Sequence, residues 1–431
     1  MEKEIQEEIR YRGIIVGLNH TRKLEEISIE SAMEELKELA KAAEIEVVAE
    51  AIQNRPVIDA ALFIGKGKVE ELKDLAETTQ ANLVIFNDEL SGSQIRNLEE
   101  MLQVDVIDRT TLILDIFAQR AVTKEAKLQV ELAQLRYRLP RLTGLGKKLS
   151  RLGAGIGTRG PGESKLETDR RHIMRRIDSI REQLEEIKRI REVQRAQRIK
   201  SELPIVALVG YTNAGKSTLM NALLQKSEDY EAEREVFVKD MLFATLEVSL
   251  RRLNFPDNFN FLLTDTVGFV SKLPHHLVDA FKATLEEVKY ADILLHVIDA
   301  SNEDYHLQRE TTLEVLKDLG VEGKQIIEVY NKIDRLEDQD LLPKSNATIG
   351  ISAKRDIALD QLVALLRSEL GHQLVELELL IPYSQGGIAS QLHKQGVVLA
   401  SEYQEQGIQM RVQLPMKESV RYGEYTVETE V

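Results

Sequence analysis

LPIVALVGYTNAGKSTLMNALL (Leu203–Leu224) runs from an unbroken apolar stretch, through a glycine-bounded turn, into a helical pattern. An apolar run ending in glycine is the mark of a buried strand. The turn GYTNAGKS (Gly210–Ser217) carries glycines, lysine and serine at Walker A spacing, in the strand–loop–helix setting that this pattern requires. Such a loop presents backbone N–H groups, and the helix N-terminus behind them, to phosphate oxygens. The loop residues Gly210, Tyr211, Thr212, Asn213, Ala214 and Gly215, with Lys216, Ser217 and Thr218 at the helix start, are therefore candidate nucleotide contacts. Lys216 is placed to reach the β- and γ-phosphates as a catalytic residue, and Ser217 to ligate Mg²⁺.

Further along, FNFLLTDTVG (Phe259–Gly268) is a second apolar strand, ending in Asp265 and Gly268. Asp265 can hold Mg²⁺ indirectly, and the Gly268 N–H can bond a γ-phosphate, so this segment can sense hydrolysis. ILLHVIDA (Ile293–Ala300) reads as a third core strand, and KQIIEVYNKID (Lys324–Asp334) as a fourth, closing on Asn331, Lys332 and Asp334. A carboxylate such as Asp334 accepts two hydrogen bonds from guanine N1–H and N2–H₂, a donor pair that adenine lacks, and so selects the base. Asn331 is expected to tie the loops together, and the Lys332 stem to cover the base. ISAK (Ile351–Lys354) adds Ser352 and Ala353, whose backbone would face guanine O6, with Lys354 a further candidate nucleotide contact. Between Ser217 and Asp265 the expected switch residue is Thr245, in LFATLE, as a catalytic Mg²⁺ ligand of the GTP state; Thr218 and Thr266 lie too close to their own motifs.

Residues 1–110 alternate apolar strands with amphipathic stretches: strands at Gly13–Asn19, Ile45–Ile52, Asn82–Phe86 and Val104–Ile107, and helices at Ser28–Ala43, Lys68–Thr78 and Gln94–Met101. That alternation predicts an α/β domain with a largely parallel sheet. GKGK (Gly65–Lys68) lacks Walker spacing and reads as a basic helix-start turn.

Residues 111–200 differ. Leu128, Leu132, Leu135 and Leu139, and then Leu166, Ile173, Ile177, Ile180, Leu184 and Ile187, keep heptad spacing, which predicts an antiparallel coiled-coil hairpin. Arg120–Lys200 holds 22 Lys/Arg against 10 Asp/Glu, in a chain whose net charge is −15. Such a local basic block suggests one aimed polyanion contact rather than general condensation on nucleic acid. The intervening 140–164 stretch has seven glycines and the cations Arg141, Lys147, Lys148, Arg151 and Arg159 against Glu163 alone. It is expected to be an irregular basic loop held at the end of a rigid arm. Its candidate RNA contacts are Lys147, Lys148, Arg151 and Arg159. Residues 201–371 form the nucleotide-binding domain and 372–431 a small α+β unit with nothing catalytic, whose last residues (417–431) are expected to be poorly ordered.

The chain of 431 residues has room for about three domains. It has no cysteine, which excludes disulfides, thiolate catalysis and cysteine-bound zinc. His275, His276 and the other histidines show no metal-ligand spacing. No apolar run is long enough for a membrane span, and MEKEIQEEIR is no signal peptide. The expected location is the cytoplasm, with peripheral membrane association left open.

These boxes, taken with RLTGLGKKLSRLGAGIGTRGPGESKLETDRR (Arg141–Arg171), resemble the HflX family of the translation-factor-related small GTPases, over essentially the whole chain. The resemblance implies an α/β fold: a P-loop GTPase domain, preceded by an α/β N-terminal domain with a helical hairpin and followed by a small α+β C-terminal domain. It implies GTP and GDP as ligands, Mg²⁺ as cofactor, and the large ribosomal subunit as partner, met mainly through ribosomal RNA phosphates and not DNA. It also implies a role in splitting or rescuing stalled or idle ribosomes under stress, most simply as a monomer. Asn213 sits where potassium-stimulated members of the class carry asparagine, which adds K⁺ near the phosphates. Phe269 follows DTVG where many regulatory GTPases have a water-orienting glutamine, so unaided hydrolysis is expected to be slow. Two other readings stay open on the residues alone: a GTPase-regulated large-subunit assembly factor, and a non-catalytic RNA-binding module with GTP as a structural ligand. Intact Lys216, Ser217 and Asp265 weigh against the second.

Overall fold

The structure is a computed structural model that describes residues 11–20, 28–142, 161–199, 203–228, 249–256, 259–266, 268–270, 288–321, 323–336, 342–343, 345, 347–371, 374–395, 397–415 and 420–427. Thr245 and the four loop cations Lys147, Lys148, Arg151 and Arg159 lie outside these residues.

The first unit is a parallel sheet of β1 (Arg12–His20), β2 (Glu46–Arg55), β3 (Leu83–Phe86) and β4 (Asp105–Asp108), in the order β2-β1-β3-β4. Helices cover both faces, which is why β1 is apolar at consecutive positions. Ile15 and Ile85 face α1 (Ile29–Ala42) and α4 (Arg109–Arg120), while Ile14, Val16, Val84 and Phe86 face α2 (Lys66–Thr79) and α3 (Gly92–Leu102). Ser28 starts α1 by accepting the Ser31 N–H at 3.1 Å, satisfying one orphan amide of the first turn. α2 starts at Lys66 behind Gly65, a helix start at the GKGK turn. The unit runs ten residues past the expected boundary at 110, because α4 packs Leu112, Ile113, Ile116 and Phe117 into the same core.

α5 (Lys124–Leu142) and α6 (Pro161–Ile199) form the hairpin, with Leu128, Leu132, Ile177 and Ile180 buried in its seam and Leu135, Leu139, Ile173, Leu184 and Ile187 packed beside them. Both helices reach into the 140–164 stretch expected to be irregular. Pro140–Leu142 complete α5, and α6 begins at Pro161, where a missing N–H costs nothing and a fixed φ suits the first turn. Arg141 is not a free loop cation. Its guanidinium stacks on Tyr137 and donates to Leu90 O at 2.7 Å, while the Asp108 carboxylate lies 3.4 Å away, pinning the hairpin base to the first unit.

The second sheet has the order β10-β9-β8-β5-β7-β6, from β5 (Ile205–Val209), β6 (Ser249–Phe255), β7 (Phe259–Asp265), β8 (Ile293–Asp299), β9 (Gln325–Asn331) and β10 (Thr348–Gly350). All pairs are parallel except β6 with β7. One face packs on α7 (Lys216–Gln225) and α9 (Leu359–Gly371), and the other continues through Ala207, Val209, Tyr211 and Leu294 into the core under α1 and α4. α8 (Tyr305–Asp318) lies on that second side, with Leu316 in the shared core.

The last unit is an antiparallel sheet in the order β11-β13-β12, from β11 (Leu374–Ile381), β12 (Val397–Gln404) and β13 (Gly407–Pro415), with α10 (Gly386–Gln395) against it. Leu379, Met410, Val412 and Leu414 meet Leu392 in its core. Residues 420–427, expected to be poorly ordered, instead dock here. Tyr422 is buried in the same core, and the Val427 N–H donates to Glu378 O at 2.9 Å.

Candidate nucleotide site

The parallel strands β5, β7, β8 and β9 end on the same edge of the second sheet, and the candidate residues follow their C-terminal ends, where open α/β sheets place ligands. At β5 the turn needs its glycines. Gly210 has φ 148°, and a Cβ there would lie 2.2 Å from Val297 O. Gly215 has φ 95°, and its Cβ would lie 2.2 Å from Asn331 Nδ2. Asn213 also adopts a left-handed φ of 59°, which asparagine tolerates better than most residues. Tyr211, Thr212 and Ala214 are buried, Asn213 is exposed, and Thr218 lies half-buried on the first turn of α7.

Lys216 is 6% exposed and donates from Nζ to Gly210 O at 3.0 Å and Tyr211 O at 2.8 Å. The ammonium is thus held inside the arc of the loop before any phosphate arrives. Burial pulls its pKa down to about 8, against the opposing pull of Asp265.

The Ser217 hydroxyl donates to Asp265 Oδ2 at 2.7 Å, and Asp265 is fully buried. A hydroxyl beside a carboxylate is an oxygen-only donor set, which suits a small hard cation such as Mg²⁺. Bound there, Mg²⁺ would neutralise charge on the β- and γ-phosphates. Gly268 lies against the loop: a Cβ there would be 2.7 Å from Thr212 Cγ2 and 2.9 Å from Lys216 Nζ. Phe269 pairs its backbone with the loop, donating to Gly210 O at 3.2 Å and accepting the Thr212 N–H at 2.7 Å. Its ring is 2% exposed in the core, so this position offers no polar side chain.

On the base side, Asn331 joins three segments. Its Nδ2 donates to Ala214 O at 2.9 Å, and its Oδ1 accepts the Ala353 N–H at 3.0 Å. Lys332, at φ 65°, pairs with Asp299 at 2.7 Å. Asp334 Oδ1 accepts the Ser352 hydroxyl at 2.6 Å, which holds its carboxyl below the usual range, and Arg355 Nε lies 3.2 Å from Oδ2. Lys354 is exposed at the rim. Asp299 and Arg355 are not among the residues that the motifs single out. Asp299 ends the ILLHVID run and Arg355 follows SAK, so position beside a motif is the available signal for both.

His296, on β8 beneath the loop, is 1% exposed, and its Nδ1 has no partner among the described residues. Burial lowers its pKa to about 4, against the pull of Glu328. Folding therefore holds it neutral, while the unfolded chain takes up its proton near the ordinary value of 6.5. Stability from this residue is complete above pH 6.5 and is lost as pH falls toward 4, by about 3 kcal/mol. Urea titrations from pH 7 to 4 should show His296→Phe losing less stability than the natural chain; equal losses would refute this.

Comparison with known proteins places the same segments in one family. Residues 30–118 match a GTP-binding GTPase N-terminal family, 120–198 a GTP-binding GTPase middle region and 205–332 a 50S ribosome-binding GTPase family. The chain is 51% identical over 395 residues to the GTPase HflX of Caldanaerobacter subterraneus subsp. tengcongensis, covering 91% of this chain and 90% of that one. It is 40% identical to GTPase HflX of Escherichia coli K12 over 391 residues, covering 89% and 90%. A GTP-binding protein from Sulfolobus solfataricus, solved with GDP, is similar at 27% identity and a TM-score of 0.43, covering 83% of this chain and 98% of that one. The extent and level of the curated matches, over a strand–loop–helix phosphate site, mean that this GTP-hydrolysing chain belongs to the HflX family of GTPases.

Proposed function

We propose that the protein binds the large ribosomal subunit and uses GTP binding and hydrolysis to split or rescue stalled or idle ribosomes. The observation that carries this is the hairpin. Next to the nucleotide domain stands a long two-helix arm whose groove is flanked by Arg136, Arg170 and Arg181, and whose connecting segment holds Lys147, Lys148, Arg151 and Arg159. Clustered arginine and lysine on an otherwise acidic chain suit RNA phosphate. The family matched by residues 205–332 is described as ribosome-binding.

Within that reading, Lys216 and the loop amides of 213–217 bind the phosphates, Gly268 senses the third, and Asp334 with Ser352 and Ala353 reads guanine. Thr245 would hold Mg²⁺ together with Ser217 and, indirectly, Asp265. K⁺ beside Asn213, a monomeric state and a cytoplasmic location belong to the same proposal. Among the described residues no helix is long and apolar enough to cross a membrane.

A Cβ on Gly268 would lie 2.9 Å from Lys216 Nζ, so a third phosphate arriving between them would displace the lysine tip, the Gly268–Phe269 segment or both. With only an apolar ring at Phe269 to follow, water is poorly oriented and hydrolysis waits for a partner. Sedimenting intact ribosomes after incubation with protein and GTP should yield separated subunits, and purified large subunits should raise turnover at least about tenfold. Intact ribosomes with unchanged turnover would refute this reading. Stimulation by large subunits without splitting would favour the assembly-factor alternative.

A further inference from the structure

Glu35, in the middle of α1 on the N-terminal unit, touches the phosphate loop of the other unit. The Tyr211 hydroxyl donates to Glu35 Oε1 at 2.5 Å, across 176 residues of sequence. Glu35 Oε2 accepts from Arg109 Nη2 at 2.6 Å, with the two side chains 14% and 3% exposed. Arg109 Nη1 in turn donates to Asn87 Oδ1 at 3.0 Å, and the Asn87 N–H donates to Val16 O at 2.9 Å, at the C-terminal edge of the first sheet. A chain of buried and half-buried hydrogen bonds therefore runs from one sheet into the phosphate loop of the other.

Tyr211 is the residue on which these contacts converge. Its ring is 7% exposed, its carbonyl accepts from Lys216 Nζ at 2.8 Å, and its neighbours Gly210 and Thr212 pair with Phe269. Holding the ring from the outside fixes the carbonyl that positions the catalytic ammonium. The crevice of about 170 Å³ between α1 and the loop is lined by Glu34, Glu35, Glu38, Asp299 and Asp304, together with Asn213. Among the described residues the lining of this crevice holds no lysine or arginine, so it offers a phosphate no cationic partner. Its walls join the two units, and Ser31 hydrogen-bonds Asp304 across it.

We propose that Glu35, held by Arg109, is a positioning residue of the GTPase site: through the Tyr211 hydroxyl it preorganises the phosphate loop, and so couples docking of the N-terminal unit to nucleotide occupancy. A preorganised loop loses less entropy when the nucleotide arrives. The coupling is reciprocal, so bound nucleotide must tighten the contact of α1 in return. The proposal rests on the nucleotide site above, and its test reads nucleotide binding in the isolated chain, so the outcome is independent of the ribosome reading.

The experiment uses the full chain with Tyr211→Phe, with Glu35→Gln and with both. Binding and dissociation of a fluorescent GDP are measured, together with hydrogen exchange of α1 with and without GDP. A charge-assisted hydrogen bond is worth enough that each single variant should bind GDP about tenfold more weakly and release it faster. The double variant should be no worse than the weaker single one, since both remove one link. GDP should slow exchange in α1 of the natural chain and fail to do so in Tyr211→Phe. Tyr211→Phe keeps the buried ring, so it carries the test if Glu35→Gln folds poorly. Unchanged GDP dissociation in Tyr211→Phe would overturn the proposal, as would additive losses in the double variant, or a lowered melting temperature with α1 protection by GDP intact.

Discussion

Lys216→Met should lower kcat/KM for GTP by roughly 10³-fold or more while leaving the nucleotide-free fold about as stable as before. The two halves of this expectation have one cause. The ammonium is buried at 6% exposure and held at a pKa of about 8, well below an ordinary lysine, so the folded protein carries it at a cost of about 3 kcal/mol. Two hydrogen bonds to Gly210 O and Tyr211 O return about 1–3 kcal/mol of that, and a methionine of similar length fills the space. Removing the charge should thus be close to neutral for folding. For the triphosphate the balance is one-sided, since the positive group faces developing negative charge in a water-poor site where nothing else of that sign is buried beside it among the described residues. Melting curves with and without GTP give the readout. The natural chain should gain several degrees with nucleotide and the variant should gain almost none. A variant that keeps both turnover and the thermal gain would remove Lys216 from the phosphate site.

The parts of the site that follow from ligand chemistry are legible in the sequence because each is a short run with its residues already adjacent. Gly210 to Ser217 is one turn, and the structure shows why its glycines cannot be exchanged: Val297 O and Asn331 Nδ2 occupy the places of the missing Cβ atoms. Asn331, expected to tie loops together, bonds Ala214 on one side and Ala353 on the other. The alternation of strands and helices follows from apolar runs of the right length. What escapes a reading of the sequence is of two kinds. α4 buries Leu112, Ile113, Leu114, Ile116 and Phe117 and exposes only Asp115, Ala118 and Gln119, so its polar face is too short to stand out in the sequence. Glu35 belongs to an ordinary-looking acidic stripe on α1, and nothing local separates it from Glu34 or Glu38. Only the fold brings it to Tyr211. In the glycine-rich stretch, composition hides Pro161 as a helix start.

Asp334→Asn should weaken GTP binding by roughly 10²- to 10³-fold and turn the site toward xanthosine triphosphate. The carboxylate is held ready for the base, since Ser352 donates to Oδ1 at 2.6 Å, Arg355 sits 3.2 Å from Oδ2, and Ala353 beside them is held through Asn331. Guanine brings two N–H donors to this edge, and an ionised carboxylate has spare lone pairs for both. Asparagine keeps the acceptor that Ser352 uses but turns an NH₂ toward the base, so donor faces donor. Each N–H left without an acceptor costs about 1–3 kcal/mol, and two such losses give the expected range. Xanthine carries a carbonyl where guanine carries its amino group, so the same NH₂ finds a partner there. Adenine offers neither arrangement, and ATP should bind poorly to both proteins. Competition of GTP, XTP and ATP against fluorescent GDP or XDP separates these cases. If GTP bound the variant as tightly as the natural chain, base recognition would have to lie elsewhere. If ATP gained as much as XTP, the effect would be a loosened pocket rather than a changed hydrogen-bond code. Substitution at Arg355 should be far milder, because it supports the carboxylate from an exposed position without touching the base, and screened surface pairs contribute about 1 kcal/mol or less.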